Sequence, residues 1–429
     1  MTVHSKSAYP QVEYDAQFFD SIDEVDAKKW NSALNDKNIY LSIPYLRALE
    51  TGLKTYNFKY IIFYDQAKDP IGICYCQIIK ITSSDIDTAA LVQRMGGMLP
   101  QNIIKRIDLR ILICGNAFAS GENGFWFKDD VITQNAIELV NKAIEDIHNA
   151  EKKRGNKISI TMIKEFWPAS FEAISYLKEK GCLEINIDVN MVLTLKEEWT
   201  QFDDYLDAMN SKFRTKAKQV LQKSSRIEIR KFTEETILIH LQEIDEMYNT
   251  IVDKANFSFG RLNATTLLLV KKALGDDFYF NGYFMNNKLI GFSTATHFDN
   301  VLDGNFIGLD YNFNQEFAMY QRMLYDFVEH ALQVKAKYVR IGRTAEEIKS
   351  GIGALPVEMK FYAKHRNKIK NALLKPFVNK LEPSNFEHYF CKVTLQSDVI
   401  MHFICYIHEY LYAYLCLAGQ KCNMFMECT

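Results

Sequence analysis

One order of elements occurs twice in this chain. In the first half, a hairpin over Tyr60–Ile81 is followed by a strand Ile107–Cys114, a long helix Thr133–Glu151 and a strand Lys157–Ile163. In the second half the same order reads Phe278–His297, Asp303–Tyr311, Phe317–Val334 and Lys337–Gly342. The turns are marked by Asp65-Gln-Ala-Lys-Asp-Pro70 and by Asn286-Asn287, residues that favour tight reversals. The helices are marked by apolar residues at helical spacing: Ile137, Val140, Ile144 and Ile147, then Phe317, Tyr320, Leu324, Phe327 and Ala331. The repeat predicts an α/β (α+β) fold of two related units, each a mixed, mostly antiparallel sheet flanked by helices. The expected boundary is near Glu197. Units of 1–196 and 197–390 then precede an apolar tail, 391–429.

The chain has 429 residues, of which 48% are hydrophobic, and a formal net charge of −2. A chain of this size buries enough surface to fold without a disulfide or metal staple. Its charge balance excludes a generally basic nucleic-acid binder, though not a local basic patch. Met1–Pro10 has no apolar core of a secretory signal. The nine cysteines show no paired C-x-x-C spacing, which suits a reducing cytoplasm. Cys74 and Cys76 share a strand face, but no further ligand follows at metal-site spacing, so no metal is expected. Val399–Ala418 is long enough to span a bilayer, yet it holds His402, His408 and Glu409. That reads as a packed or membrane-surface helix, leaving contact with a membrane surface as an expectation.

Lys212–Lys231 carries eight basic residues against one acid, Glu228. Lys212, Arg214, Lys216 and Lys218 flank an apolar stripe on one helix. They read either as solvated lysines around a buried seam or as a phosphate-binding face. Arg343 and Lys349 follow the last strand of the second unit. They read as substrate or carboxylate contacts, or as surface ion pairs with Glu346 and Glu347. His297 ends a strand and suits a base for an incoming amine. Asp310 is an alternative base, and Tyr320 a proton donor to a leaving group. The loop Cys114–Gly124 is glycine-rich and reads as a binding loop or a long turn.

The repeated order, with a basic helix opening the second unit, resembles the GNAT acyltransferase superfamily and its Fem-type tandem members. The segments that carry the likeness are Ser42–Glu50, Ser211–Lys218, Phe306–Tyr311 with the following helix, and Tyr338–Arg343 with Lys349. The resemblance implies direct transfer of an acyl or aminoacyl group to a small-molecule amine. The donor carbonyl would lie against backbone N–H groups of Ile307, Gly308 and Leu309. It implies a thioester donor, acyl-CoA or an acyl carrier protein, as co-substrate, with no tightly bound cofactor. Many members hold the coenzyme pyrophosphate on a glycine-rich loop at a helix N-terminus. This chain has Asn312–Ala318 there, without glycine. Fem-type members also lack that loop and take aminoacyl-tRNA, which makes tRNA the alternative donor. A non-catalytic binder of a cell-wall precursor, lipid or nucleic acid is the reading from outside enzymology.

Overall fold

The computed structural model describes residues 15–34, 38–82, 108–128, 133–254 and 261–372. The expected tail 391–429 lies outside the described residues. Among the described residues thirteen strands form one sheet. They are β1 (Asp15–Phe19), β2 (Asn57–Tyr64), β3 (Pro70–Thr82), β4 (Asp108–Cys114), β5 (Phe125–Phe127), β6 (Ile160–Phe166) and β7 (Leu183–Thr194), followed by β8 (Glu228–Lys231), β9 (Phe278–Met285), β10 (Lys288–Phe298), β11 (Val301–Leu309), β12 (Tyr338–Arg340) and β13 (Leu355–His365). The helices that matter below are α1 (Ile43–Gly52), α2 (Gln134–Lys153), α3 (Ser211–Lys223), α4 (Leu241–Lys254), α5 (Ala264–Leu274), α6 (Tyr311–Phe317), α7 (Met319–Gln333) and α8 (Glu346–Ser350). Among the described residues no helix is long and apolar enough to cross a membrane.

The strand order is β1-β2-β3-β4-β6-β13-β7-β12-β11-β10-β9-β8, with β5 on β3. Among the described strands only β4·β6 and β11·β12 are parallel. A parallel pair needs a long crossover, and the two longest helices, α2 and α7, supply it. The expected repeat is therefore visible as mirrored halves of one sheet. Each half runs hairpin, third strand, helical crossover, parallel fourth strand. The last strand of each half is exchanged: β13, late in the chain, pairs with β6, while β7 pairs with β12. The two exchanged strands pair with each other along most of their length.

Several elements differ from the sequence reading. The sequence over Asp203–Ser224 reads as one helix, but the segment forms two, Phe202–Ala208 and α3, because Met209 adopts an extended backbone. The sequence over Glu235–Val252 also reads as one helix, but it breaks at His240. Asn312–Ala318, read as the segment replacing a loop, is helical as α6. It joins α7 through Ala318, which takes the left-handed conformation (φ 50°). β13 carries no hairpin or helix signal, and only pairing with β6 and β7 defines it.

Apolar side chains fill both faces. On one face α1, α4 and α5 cover β2, β9 and β10 around Trp30, Tyr60 and Phe280. On the other, α7 covers the second half with Leu324, Phe327 and Val328, and α2 covers the first with Ile137, Val140 and Ile144. A bulge shapes β11: Ser293 opposes Ile307 and Ala295 opposes Gly304, so Thr294 faces two residues. The Thr294 hydroxyl repairs the ladder. It accepts the Phe306 N–H at 2.9 Å and donates to the Phe306 carbonyl at 3.1 Å. Thr294→Val keeps the shape but strands two backbone groups, and unpaired buried groups cost about 1–3 kcal/mol each. Urea unfolding of this variant is expected to show a loss of about 2–6 kcal/mol for the two groups together. An unchanged midpoint would show that the hydroxyl does not carry the bulge.

Candidate active site

β11 and β12 are paired over only Val301–Asp303 and Tyr338–Arg340. β11 then continues to Leu309. The other chain turns away through Gly342, Thr344 and Ala345, all with positive φ, into α8. The diverging strands open a cavity of about 720 Å³. In the first half the equivalent gap after Cys114 is closed. There Gly115 packs on the Lys164 carbonyl, and the Glu165 N–H donates to the Gly121 carbonyl at 3.2 Å. One gap of the pair is thus open and the other filled.

The open edge of β11 follows from its hydrogen bonds. The N–H of Phe306 points to β10 through Thr294, and that of Asp310 donates to the Ile290 carbonyl at 2.9 Å. Backbone direction alternates along a strand, so the N–H groups of Ile307 and Leu309 face the cavity side, and both residues line the cavity. Gly308 points its N–H to β10. Its own contribution is space: a Cβ there would fall 2.2 Å from the Phe292 ring.

Asp303 closes the inner end of the cavity and is 3% exposed. Its carboxylate accepts the Tyr40 hydroxyl at 2.6 Å. The Tyr40 oxygen in turn accepts Asn305 Nδ2 at 2.8 Å, and the Asn305 amide oxygen accepts the Thr296 hydroxyl at 2.6 Å. Burial raises the Asp303 pKa to about 6, against the opposing pull of Arg340 and the Tyr40 hydrogen bond. In the sequence Asp303 stands only as the first residue of the expected strand Asp303–Tyr311. The signal was an acid inside a strand, at a position where alternation places it indoors.

The far wall holds the other charged groups. Arg343 pairs with Glu165 at 3.0 Å, across the two halves, and Glu165 pairs with Lys164 at 3.2 Å. Lys349 is 2% exposed. Its ammonium donates to the carbonyls of Arg343 at 2.6 Å and Gly342 at 3.2 Å, which pins the turn that splays the strands. Burial is the main cause that lowers its pKa to about 7, with help from Arg343. Both residues therefore bond away from Glu346 and Glu347, the surface partners that the sequence offered. The loop read as Cys114–Gly124 reaches across as Phe118, Ala119 and Ser120 and forms a third wall. Asn116 braces it by accepting the N–H groups of Phe118 and Ala119.

The remaining expected residues are scattered. Tyr320 lines the cavity, and burial pushes its hydroxyl pKa up to about 12. Its N–H, in the first turn of α7, donates to Asn314 Oδ1 at 3.0 Å. Asp310 lies outside the lining and caps α6 by accepting the Asn312 N–H, with Lys288 3.4 Å away. His297 also lies outside it. It shares a face of β10 with buried Ala295, and its Nε2 is buried without a hydrogen-bond partner. Lys212, Lys216 and Lys218 are exposed on α3, and Arg214 donates to the Asp207 carbonyl at 3.1 Å. From that helix only Lys223 reaches the cavity wall.

Lys349 gives the site a pH signature. Its folded pKa of about 7 lies below the ordinary 10.5, so the unfolded chain binds more protons between those values. Stability from this group is therefore lowest below pH 7 and is gained as pH rises toward 10. Chemical unfolding of the natural chain and of Lys349→Met should show the difference moving in favour of the natural chain over that range. A pH-independent difference would contradict the burial of a titrating ammonium.

No family model matches the chain, and no curated protein does. Solved structures do. FemX superposes over 84% of this chain and 100% of its own, with 10% identity and a TM-score of 0.53. A tandem GNAT protein from the clavulanic acid biosynthesis pathway covers 82% and 99% at 7% identity, with a TM-score of 0.48. L-PGS from Bacillus licheniformis covers 83% and 97% at 10% identity, with a TM-score of 0.47. At such identities the likeness is one of architecture alone, and the chain has a FemX-like fold.

Proposed function

We propose that the cavity between β11 and β12 transfers an acyl or aminoacyl group to an amine by direct attack. The observation that carries this reading is the open edge of β11 beside a buried carboxylate. The N–H groups of Ile307 and Leu309 would hold the donor carbonyl and stabilise the oxyanion that forms on it. The amine nitrogen bonds to that carbon, and Asp303 accepts the proton it sheds. The C–S or C–O bond to the leaving group then breaks, and the protonated Tyr320 hydroxyl supplies the proton that the leaving group needs. A carboxylate that titrates near 6 suits this work at neutral pH. His297 and Asp310 have no part in this scheme.

The donor is the finer question. A thioester of coenzyme A or of a carrier protein is one reading. An aminoacyl ester on tRNA is favoured by a specific observation: the Tyr320 N–H, where a pyrophosphate would seek donors, is already bonded to Asn314. The exposed Lys212, Lys216 and Lys218 stand on the helix whose Lys223 reaches the cavity, and would track a phosphodiester backbone.

Transfer assays with acetyl-CoA and with mixed aminoacyl-tRNA as donors test both parts. Asp303→Asn should fold and lose about 10²–10⁴-fold in rate, and the natural rate should rise as pH passes through 6. A variant with normal turnover would remove Asp303 as the base. Neutralising Lys212, Lys216 and Lys218 together should flatten the salt dependence of tRNA binding by about two to three in log–log slope. An unchanged slope would leave the thioester donor as the reading.

A further inference from the structure

Cys74 and Cys76 lie two apart on β3 and project from one face of the sheet. Sequence spacing offers no third ligand, but the sheet does. The register sets Cys114, the last residue of β4, opposite Cys76. The sulfurs of Cys74 and Cys114 are 3.6 Å apart, and all three sulfurs lie within 4.8 Å of one another. Among the described residues this is the one group of three ligating side chains gathered so closely. All three are fully buried, among Ile61, Phe63, Phe125, Ile137 and Val140.

We infer that Cys74, Cys76 and Cys114 form a binding site for one soft cation, and that copper(I) is the ion that fits. Metal–sulfur bonds of about 2.3 Å would place three sulfurs of a trigonal site about 4.0 Å apart, close to the spacing present. Thiolates select soft ions. Structural zinc takes four ligands, and catalytic zinc keeps an open position for water. The apolar wall offers neither a fourth ligand nor a place for water, whereas copper(I) is stable with three sulfurs. Each thiol that binds gives its proton to solvent as its S–Cu bond forms, and no electron moves. Lys59 stands opposite Cys76 on β2, with its ammonium paired to Asp20 at 2.6 Å and Glu151 at 2.8 Å. The bound ion would tie β3 to the root of the loop that carries Phe118–Ser120 to the cavity.

The test is titration of the reduced, full chain with copper(I) under argon, against bicinchoninate as competitor, both on folded protein and during refolding. Cys114→Ala is expected to hold one copper(I) fewer per chain than the natural protein. The difference should appear in the thiolate-to-copper absorption of the near ultraviolet. A second variant with Cys182, Cys391, Cys405, Cys416, Cys422 and Cys428 replaced by Ser should retain one ion, with three sulfur neighbours by X-ray absorption. Equal copper counts in the natural chain and Cys114→Ala would overturn the site, as would no binding by the variant that keeps the three cysteines. A fourth, non-sulfur ligand with preference for zinc would overturn the choice of ion. A Cys74–Cys114 disulfide in protein purified without reductant would replace the metal site with a redox pair.

Discussion

Three residue pairs hold β11 to β12, and the separation of the two strands beyond Asp303 and Arg340 sets the rest of the molecule. β12 can leave the sheet early because β7, arriving from the other half, takes its outer edge at Val192–Thr194. The unpaired remainder of β11 then has no strand to bond with. Exposed strand edges invite pairing, and here α7, α8 and the Phe118–Ser120 loop surround the edge while leaving a cavity. The exchange of β7 and β13 also makes the two halves one sheet, so the walls of the cavity come from both.

Charge placement follows from that geometry. Asp303, Glu165, Lys164 and Lys349 are all nearly fully buried around or behind the cavity. Buried charges persist only when paired or hydrogen-bonded. Glu165 has Lys164 and Arg343, and Lys349 has two carbonyls. Asp303 is different: its hydrogen bond comes from a neutral hydroxyl, and Arg340 acts on it only through its field. The carboxylate left with the weakest compensation is the one that burial shifts toward neutrality. In that sense the site gathers an acid of about 6 and a lysine of about 7 within one enclosure.

Much of the frame could be read from sequence. Hairpin turns, the strand Ile107–Cys114 and both crossover helices are local patterns, and each half displays them in order. The exchanged strand β13 could not be read, since Leu355–His365 is defined by partners far away in the chain. The site was half legible. Arg343, Lys349, Tyr320, Ile307 and Leu309 stand at the cavity because they follow or edge the strands that splay. His297 and Asp310 lie outside the cavity lining for a physical reason. Their residue types suit acid–base work, but one faces the α7 side of the sheet and the other caps a helix that looked like a loop. Asp303 was overlooked because its value comes from burial, and the cysteine triad because its third member arrives by cross-strand pairing.

The measurement that bears most directly on this account is amide NMR of the protein with isoleucine and leucine ¹⁵N-labelled. The added ligand is a non-reactive donor mimic, an aminoacyl-amide of adenosine or an amide analogue of acetyl-pantetheine. If the open edge of β11 receives the donor carbonyl, the Ile307 and Leu309 resonances shift together and saturably, as amides do on gaining a strong acceptor. If ligand binds while both resonances stay fixed and shifts appear only at Leu221 on α3, the diverging strands are not where the carbonyl is held.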